Sequence, residues 1–209
     1  MTDEELLTYR VNLDARAKYF EDMIDGLDAA ASDVESIDDR SDALAEAIFL
    51  RAFTAYERDV ELLFLHYVTG GRSIGGDSAN TYLRITDELI ARKVIKAGFK
   101  FLSWAKPENI RETARNYIDG GWPLIDMLAT RAQDISDCER IRNRIAHNSL
   151  ESIQQYSVVQ RNLLATERLF QITPGQLLRV RHSRHRKINI SHFVGVMHEL
   201  LSAITDPPK

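Results

Sequence analysis

The stretch from Ser41 to Gly71, SDALAEAIFLRAFTAYERDVELLFLHYVTGG, limits the possible folds more than any other part of the chain. It is the most apolar segment, with no proline and no glycine before Gly70. A helix starting near Ser41 should therefore run to Gly70-Gly71, where a left-handed residue can terminate it. With ten Gly and five Pro among 209 residues, other long segments also lack both helix breakers.

The remaining segments read in the same way. From Asp3 to Ala31, much of the spacing among Leu6, Leu7, Tyr9, Leu13, Tyr19, Phe20, Met23, Ile24 and Leu27 is three or four, the signature of an amphipathic helix. A helix is predicted from Thr86, with Asp87 and Glu88 where the macrodipole favours acids, and Gly98 as an interruption. Pro107 suits a first helical position, with Gly120-Gly121 after the helix ends. Ser136 with Glu139, and Ser152 with Gln155, have the spacing of capping boxes. Thr173-Pro174-Gly175-Gln176 reads as cap, proline and polar third residue, and a last helix is predicted from near Ser191 to before Pro207. The loop GGRSIGGDSAN reads as soft and exposed, and NTYLRI is the best strand candidate. The expected architecture is all-α, a bundle of six to eight helices forming one domain over residues 1–209.

Composition excludes several classes. The net charge of −4 gives no global basic field, so any nucleic-acid binding must use local charge. Cys138 is the only cysteine, which rules out an intramolecular disulfide and a cysteine-based zinc site. No stretch approaches the roughly 18 uninterrupted apolar residues of a membrane span. The acidic start MTDEELLTYR lacks a signal peptide's basic and apolar regions. A cytoplasmic protein with no membrane partner is the expectation.

The chemistry concentrates in RIRNRIAHNS, Arg140 to Ser149. On one continuous helix, Arg142 and His147 would stand roughly 140° apart, whereas Asn143 and Arg144 would share a face with His147. Imidazole moves protons near neutral pH, and guanidinium binds phosphate and neutralises charge developing on it. The set suits metal-free cleavage of a phosphodiester. Its other reading is a solvated basic helix with a partly buried histidine. The segment RVRHSRHRK, Arg179 to Lys187, is dense in cations and would gather an RNA backbone beside a cleft, or stand as an exposed basic loop. Its His182 and His185 are surrounded by arginines that repel a metal cation.

Other residues read as structural. His66, on the apolar helix, suits a satisfied core or interface position, and His198 lacks a second histidine at metal-ligand spacing. Trp104 and Trp122 suit packing, Cys138 an inert buried thiol. GGRSIGG lacks the Lys-Ser/Thr of a phosphate-binding loop.

RNRIAHNS, late in a helical chain, resembles the defining motif of the HEPN superfamily: an Arg, four to six residues, then a His. Arg142-Asn143-Arg144-Ile145-Ala146-His147 fits the four-residue form, with the polar residue after the Arg, and is most similar to the RiboL-PSP-HEPN branch. The apolar helix with its embedded acid, Glu57, and the order of later segments resemble that branch too. The resemblance implies a HEPN-like bundle with extra C-terminal helices. It also implies a metal-independent endoribonuclease with no cofactor, acting as a homodimer whose motif helices share one cleft. His147 would then be the general acid/base for attack of the RNA 2′-hydroxyl, and Arg142 would stabilise the charged transition state. Asn143 would orient the histidine or the scissile phosphate, and Glu57 would anchor the pair. Arg140, Arg144, Arg181, Arg184, Arg186 and Lys187 would bind RNA. A toxin or anti-phage role with a cognate antitoxin follows from the same resemblance. The alternative it allows is a non-catalytic module for RNA or nucleotide binding or for dimerisation.

Overall fold

In the computed structural model, residues 1–29, 39–97, 103–164, 171–181 and 187–208 are described. They form nine α-helices and no strand. The helices are α1 (Asp3–Ala29), α2 (Asp39–Val68), α3 (Glu88–Ala97), α4 (Pro107–Tyr117), α5 (Leu124–Ala129), α6 (Ala132–Ala146), α7 (Leu150–Leu164), α8 (Pro174–Arg179) and α9 (Asn189–Thr205), with a 3₁₀ turn at Asp119–Gly121. The all-α architecture is as the helical patterning predicts. Among the described residues no helix is long and apolar enough to cross a membrane.

Helix α2 is the axis of the bundle, in contact with α1, α3, α6, α8 and α9. Ala45, Ile48, Phe49, Ala52, Phe53, Tyr56, Val60, Leu63 and Phe64 form its buried stripe, at spacings of one, three and four. From Leu63 to Val68 every side chain is buried, because the last turns are covered on all sides. Phe49 stacks near Phe53 at 6.1 Å and meets Phe193 of α9 edge-on at 6.2 Å. Each such buried side chain stabilises the fold by about 1.5–3 kcal/mol.

The end of α2 shows why Gly70-Gly71 follows it. Gly70 takes φ +89°. The Gly71 N–H donates to the His66 carbonyl at 2.8 Å and that of Gly70 to the Tyr67 carbonyl at 3.1 Å, a Schellman cap. His66 is buried, its ring nitrogens 3.1 Å from the Met1 carbonyl and 2.8 Å from the Arg72 carbonyl. A Cβ on Gly71 would come within 2.1 Å of that ring. Gly71→Ala is therefore expected to cost about 1–3 kcal/mol through overpacking, and urea unfolding would show it as a lower midpoint.

Local signals held unevenly. Pro107 occupies the first turn of α4. Thr173 and Gln176 make both bonds of the capping box that opens α8. Ser136 and Glu139 do not cap: α6 begins at Ala132, about one turn earlier, so both lie inside it. At α7 the cap belongs to Ser149, whose Oγ accepts the Ser152 N–H at 3.2 Å, while Ser152 sits within the helix. The strand candidate makes one isolated bridge, Thr81 with Ile118. The glycine-rich loop is not simply exposed: Ser73 is buried, and the Ile74 N–H donates to the Thr205 carbonyl of α9 at 2.9 Å. Gly98 lies outside the described residues.

Candidate functional site

Helix α6 packs its buried stripe, including Ile135, Cys138 and Ile141, into the core beside α2. That register places Glu139, Arg142 and Asn143 at the boundary between core and solvent. Glu139 is only 7% exposed. The Asn143 Nδ2 donates to Glu139 Oε1 at 2.6 Å, one turn back, and Asn143 Oδ1 accepts from Arg142 Nη1 at 3.0 Å. Lys106, just before α4, places its Nζ 3.8 Å from Glu139 Oε1. The acid, amide and guanidinium form a continuous chain, with both functions of the Asn143 amide engaged.

Glu57 arrives from α2 and is half-buried beside this chain. Burial raises its carboxyl above the ordinary carboxylate range, the charge of Arg142 opposes the shift, and that of Glu139 adds to it. Folded Glu57 thus keeps its proton at a pH where the unfolded chain has released it, so ionisation costs stability as pH rises. Glu57→Gln removes that penalty. Its melting temperature relative to wild type is expected to climb as pH rises above the ordinary glutamate range; a falling difference would contradict the assignment.

His147 lies just beyond the helix. It adopts extended dihedrals, φ −137° and ψ 137°, as the C-cap of α6. The wheel angle of 140° between Arg142 and His147 therefore does not apply, since the chain has left the helix at Ala146. The backbone of His147 is fixed on both sides: its N–H donates to the Asn143 carbonyl at 2.9 Å, and its carbonyl accepts from Ser152 Oγ at 2.9 Å. The ring is exposed and makes no side-chain hydrogen bond or ion pair with a described residue. The short connection His147-Asn148-Ser149 thus presents an imidazole from a rigid corner between α6 and α7.

The other predicted cations are placed differently. Arg140 pairs with Asp137 at 3.0 Å and Arg144 donates to Asn148 Oδ1 at 3.1 Å, so both guanidinium groups are held within the chain. Arg179, first residue of the basic segment, is a buried ion-pair residue bound to Asp42 at 2.7 Å. Arg181 is exposed beside an isolated bridge to Ile188. Lys187 is exposed on a groove that also holds Glu21 and Asp25. Arg184, Arg186, His182 and His185 lie outside the described residues.

Three structural readings are met directly. Cys138 is fully buried and its thiol is raised well above its ordinary range by burial, then by Asp134 and Asp137. Trp104 packs 5.1 Å from Phe64, and Trp122 meets Tyr67 edge-on. His198 pairs with Asp14 at 2.8 Å. Among the described residues no three His, Cys, Asp or Glu side chains are grouped to hold a metal.

The sequence reading missed Glu139 and Lys106. Glu139 was assigned to a cap, although an acid four residues before an amide on the buried side of a helix is itself a pairing signal. Comparison with protein-family models, with curated proteins and with solved structures gave no match.

Proposed function

We propose that this protein is a metal-independent endoribonuclease with a HEPN-like composite site formed by two copies of the α6–α7 corner. The observation that carries this reading is the Arg142–Asn143–Glu139 chain beside half-buried Glu57, one turn before an exposed His147 with a fixed backbone. Arg142 supplies charge for a phosphate, and Asn143 and Glu57 hold it in place. His147 accepts the proton of the RNA 2′-hydroxyl as that oxygen bonds to phosphorus. The bond from phosphorus to the 5′-oxygen breaks, and the leaving oxygen takes a proton from water. The products are a 2′,3′-cyclic phosphate and a 5′-hydroxyl. A toxin or phage-defence role, held in check by an antitoxin, belongs to the same reading. The test is cleavage of single-stranded RNA in excess EDTA. A metal requirement, or undiminished cleavage by His147→Ala, would sink the mechanism.

One observation favours a second reading, a non-catalytic module that binds RNA or dimerises. Nothing within the described chain orients the His147 ring. The module reading gives binding without cleavage, and the same assay separates the two.

A further inference from the structure

A basic surface lies on the bundle between its first two helices. Helices α1 and α2 flank an open groove of about 510 Å³, lined by Arg16, Tyr19, Arg51, Thr54 and Arg58 among others, with no acid in its lining. Behind it Asp59, 1% exposed, receives Arg16 on one oxygen and Arg58 on the other, at 3.1 Å for Arg58. Both oxygens of that carboxylate are engaged, and three guanidinium groups face one negative charge. The groove therefore keeps an excess of two positive charges in a chain whose net charge is −4.

Arg51 and Arg58 stand open to a ligand. The Arg58 side chain is 69% exposed. Arg51 has no carboxylate partner among the described residues; it lies 3.4 Å from the Tyr19 hydroxyl and over the Tyr19 ring at 5.5 Å. Tyr19 remains 46% exposed. Arg51, Thr54 and Arg58 repeat at three and four residues along α2, and Arg51 and Arg58 stand roughly 10.5 Å apart along the axis. Glu57 of the candidate site immediately precedes Arg58 in α2.

We infer that this groove binds single-stranded RNA, with Arg51 and Arg58 on separate phosphates of one strand and the Tyr19–Arg51 pair as a stacking platform for a base. The ring decides between ligands. Bases of a duplex are stacked inside it and cannot reach an aromatic side chain in a groove, whereas those of a single strand can. An acidic peptide would use the arginines and leave the ring without a role. The choice of RNA rests on the function proposed above; the charge and the platform do not.

The probe is a fluorescein-labelled 2′-O-methyl oligouridylate of about 12 nucleotides, within the usual site size. It lacks the free hydroxyl needed for cleavage. Anisotropy titrations of the full chain over a range of salt give Kd and its salt slope. Arg51→Glu is expected to weaken binding by tenfold or more and to lower the slope by about 0.7 for each phosphate it ceases to neutralise. Tyr19→Ala should weaken it by about tenfold or more, and Arg51→Lys should recover most of the affinity. Circular dichroism checks that these surface variants fold. Unchanged Kd and slope in Arg51→Glu overturn the groove, as does a wild type that does not bind. So does poly-glutamate binding as tightly as the probe with Tyr19→Ala silent. Cleavage of unmodified RNA with a silent Arg51→Glu removes the groove and leaves the nuclease. Groove-dependent binding without cleavage does the reverse.

Discussion

Asp42→Ala is expected to destabilise the fold by about 3–5 kcal/mol, because it strands a buried cation. The Asp42 and Arg179 side chains are 10% and 7% exposed and meet at 2.7 Å. The second Asp42 oxygen accepts from Thr173 Oγ1 at 3.4 Å. The Gly175 N–H donates to Glu46 Oε1 at 2.9 Å, and a Cβ on Gly175 would lie 2.5 Å from the Asp42 carbonyl oxygen. The start of α8 is therefore seated directly on the first turns of α2, with its polar groups matched there. Losing the carboxylate leaves the buried Arg179 guanidinium without that ion partner. The melting temperature should fall on the order of 10 °C for a chain of this size. The double variant Asp42→Leu with Arg179→Met should recover most of the loss, since apolar replacement removes both desolvation costs. A single variant melting within about 2 °C of wild type would show that the pair carries little.

This pair also marks where sequence reading stops. Arg179 opens a run of cations and reads as solvated charge, but its partner lies 137 positions away, and only the docking of α8 on α2 brings them together. Features set by neighbours in sequence were legible. The Schellman cap after α2 needs only Gly70-Gly71, and the capping box at Thr173 only its next three residues. Capping boxes at Ser136 and Ser152 have the same spacing but fail, because a helix starting earlier absorbs them and local spacing cannot say where a helix starts. In the candidate site, Arg142, Asn143 and His147 were legible as a motif. That Glu57 lies beside Arg142 is a matter of tertiary packing, whereas the Glu139–Asn143 pair is set by the four-residue spacing within α6 and was legible from it. His147 was placed on a helix by extrapolation; the Ser149 cap and the Ser152 bond to the His147 carbonyl turn the chain out of it.

The largest functional effect is expected at that corner. His147→Ala should lower RNA cleavage by about 10²–10⁴-fold, the usual worth of a positioned acid/base. Arg142→Ala should lower it by about 10²–10³-fold, as for loss of one donor to a developing oxyanion. Their combination should be little worse than the more damaging single change, because residues acting as one unit are not additive. The geometry of one chain suggests how to separate a composite site from a site within one protomer. The guanidinium of Arg142 is turned to Asn143, while the His147 ring stands free in solvent beyond the helix end. If each site pairs the arginine of one copy with the histidine of the other, mixing the two inactive variants must restore activity. Random reassortment makes half the dimers mixed, and each mixed dimer keeps one of its two pairs, so about a quarter of wild-type cleavage should return. If arginine and histidine act within the same chain, every protomer in the mixture lacks one of them, and the mixture stays as inactive as its components.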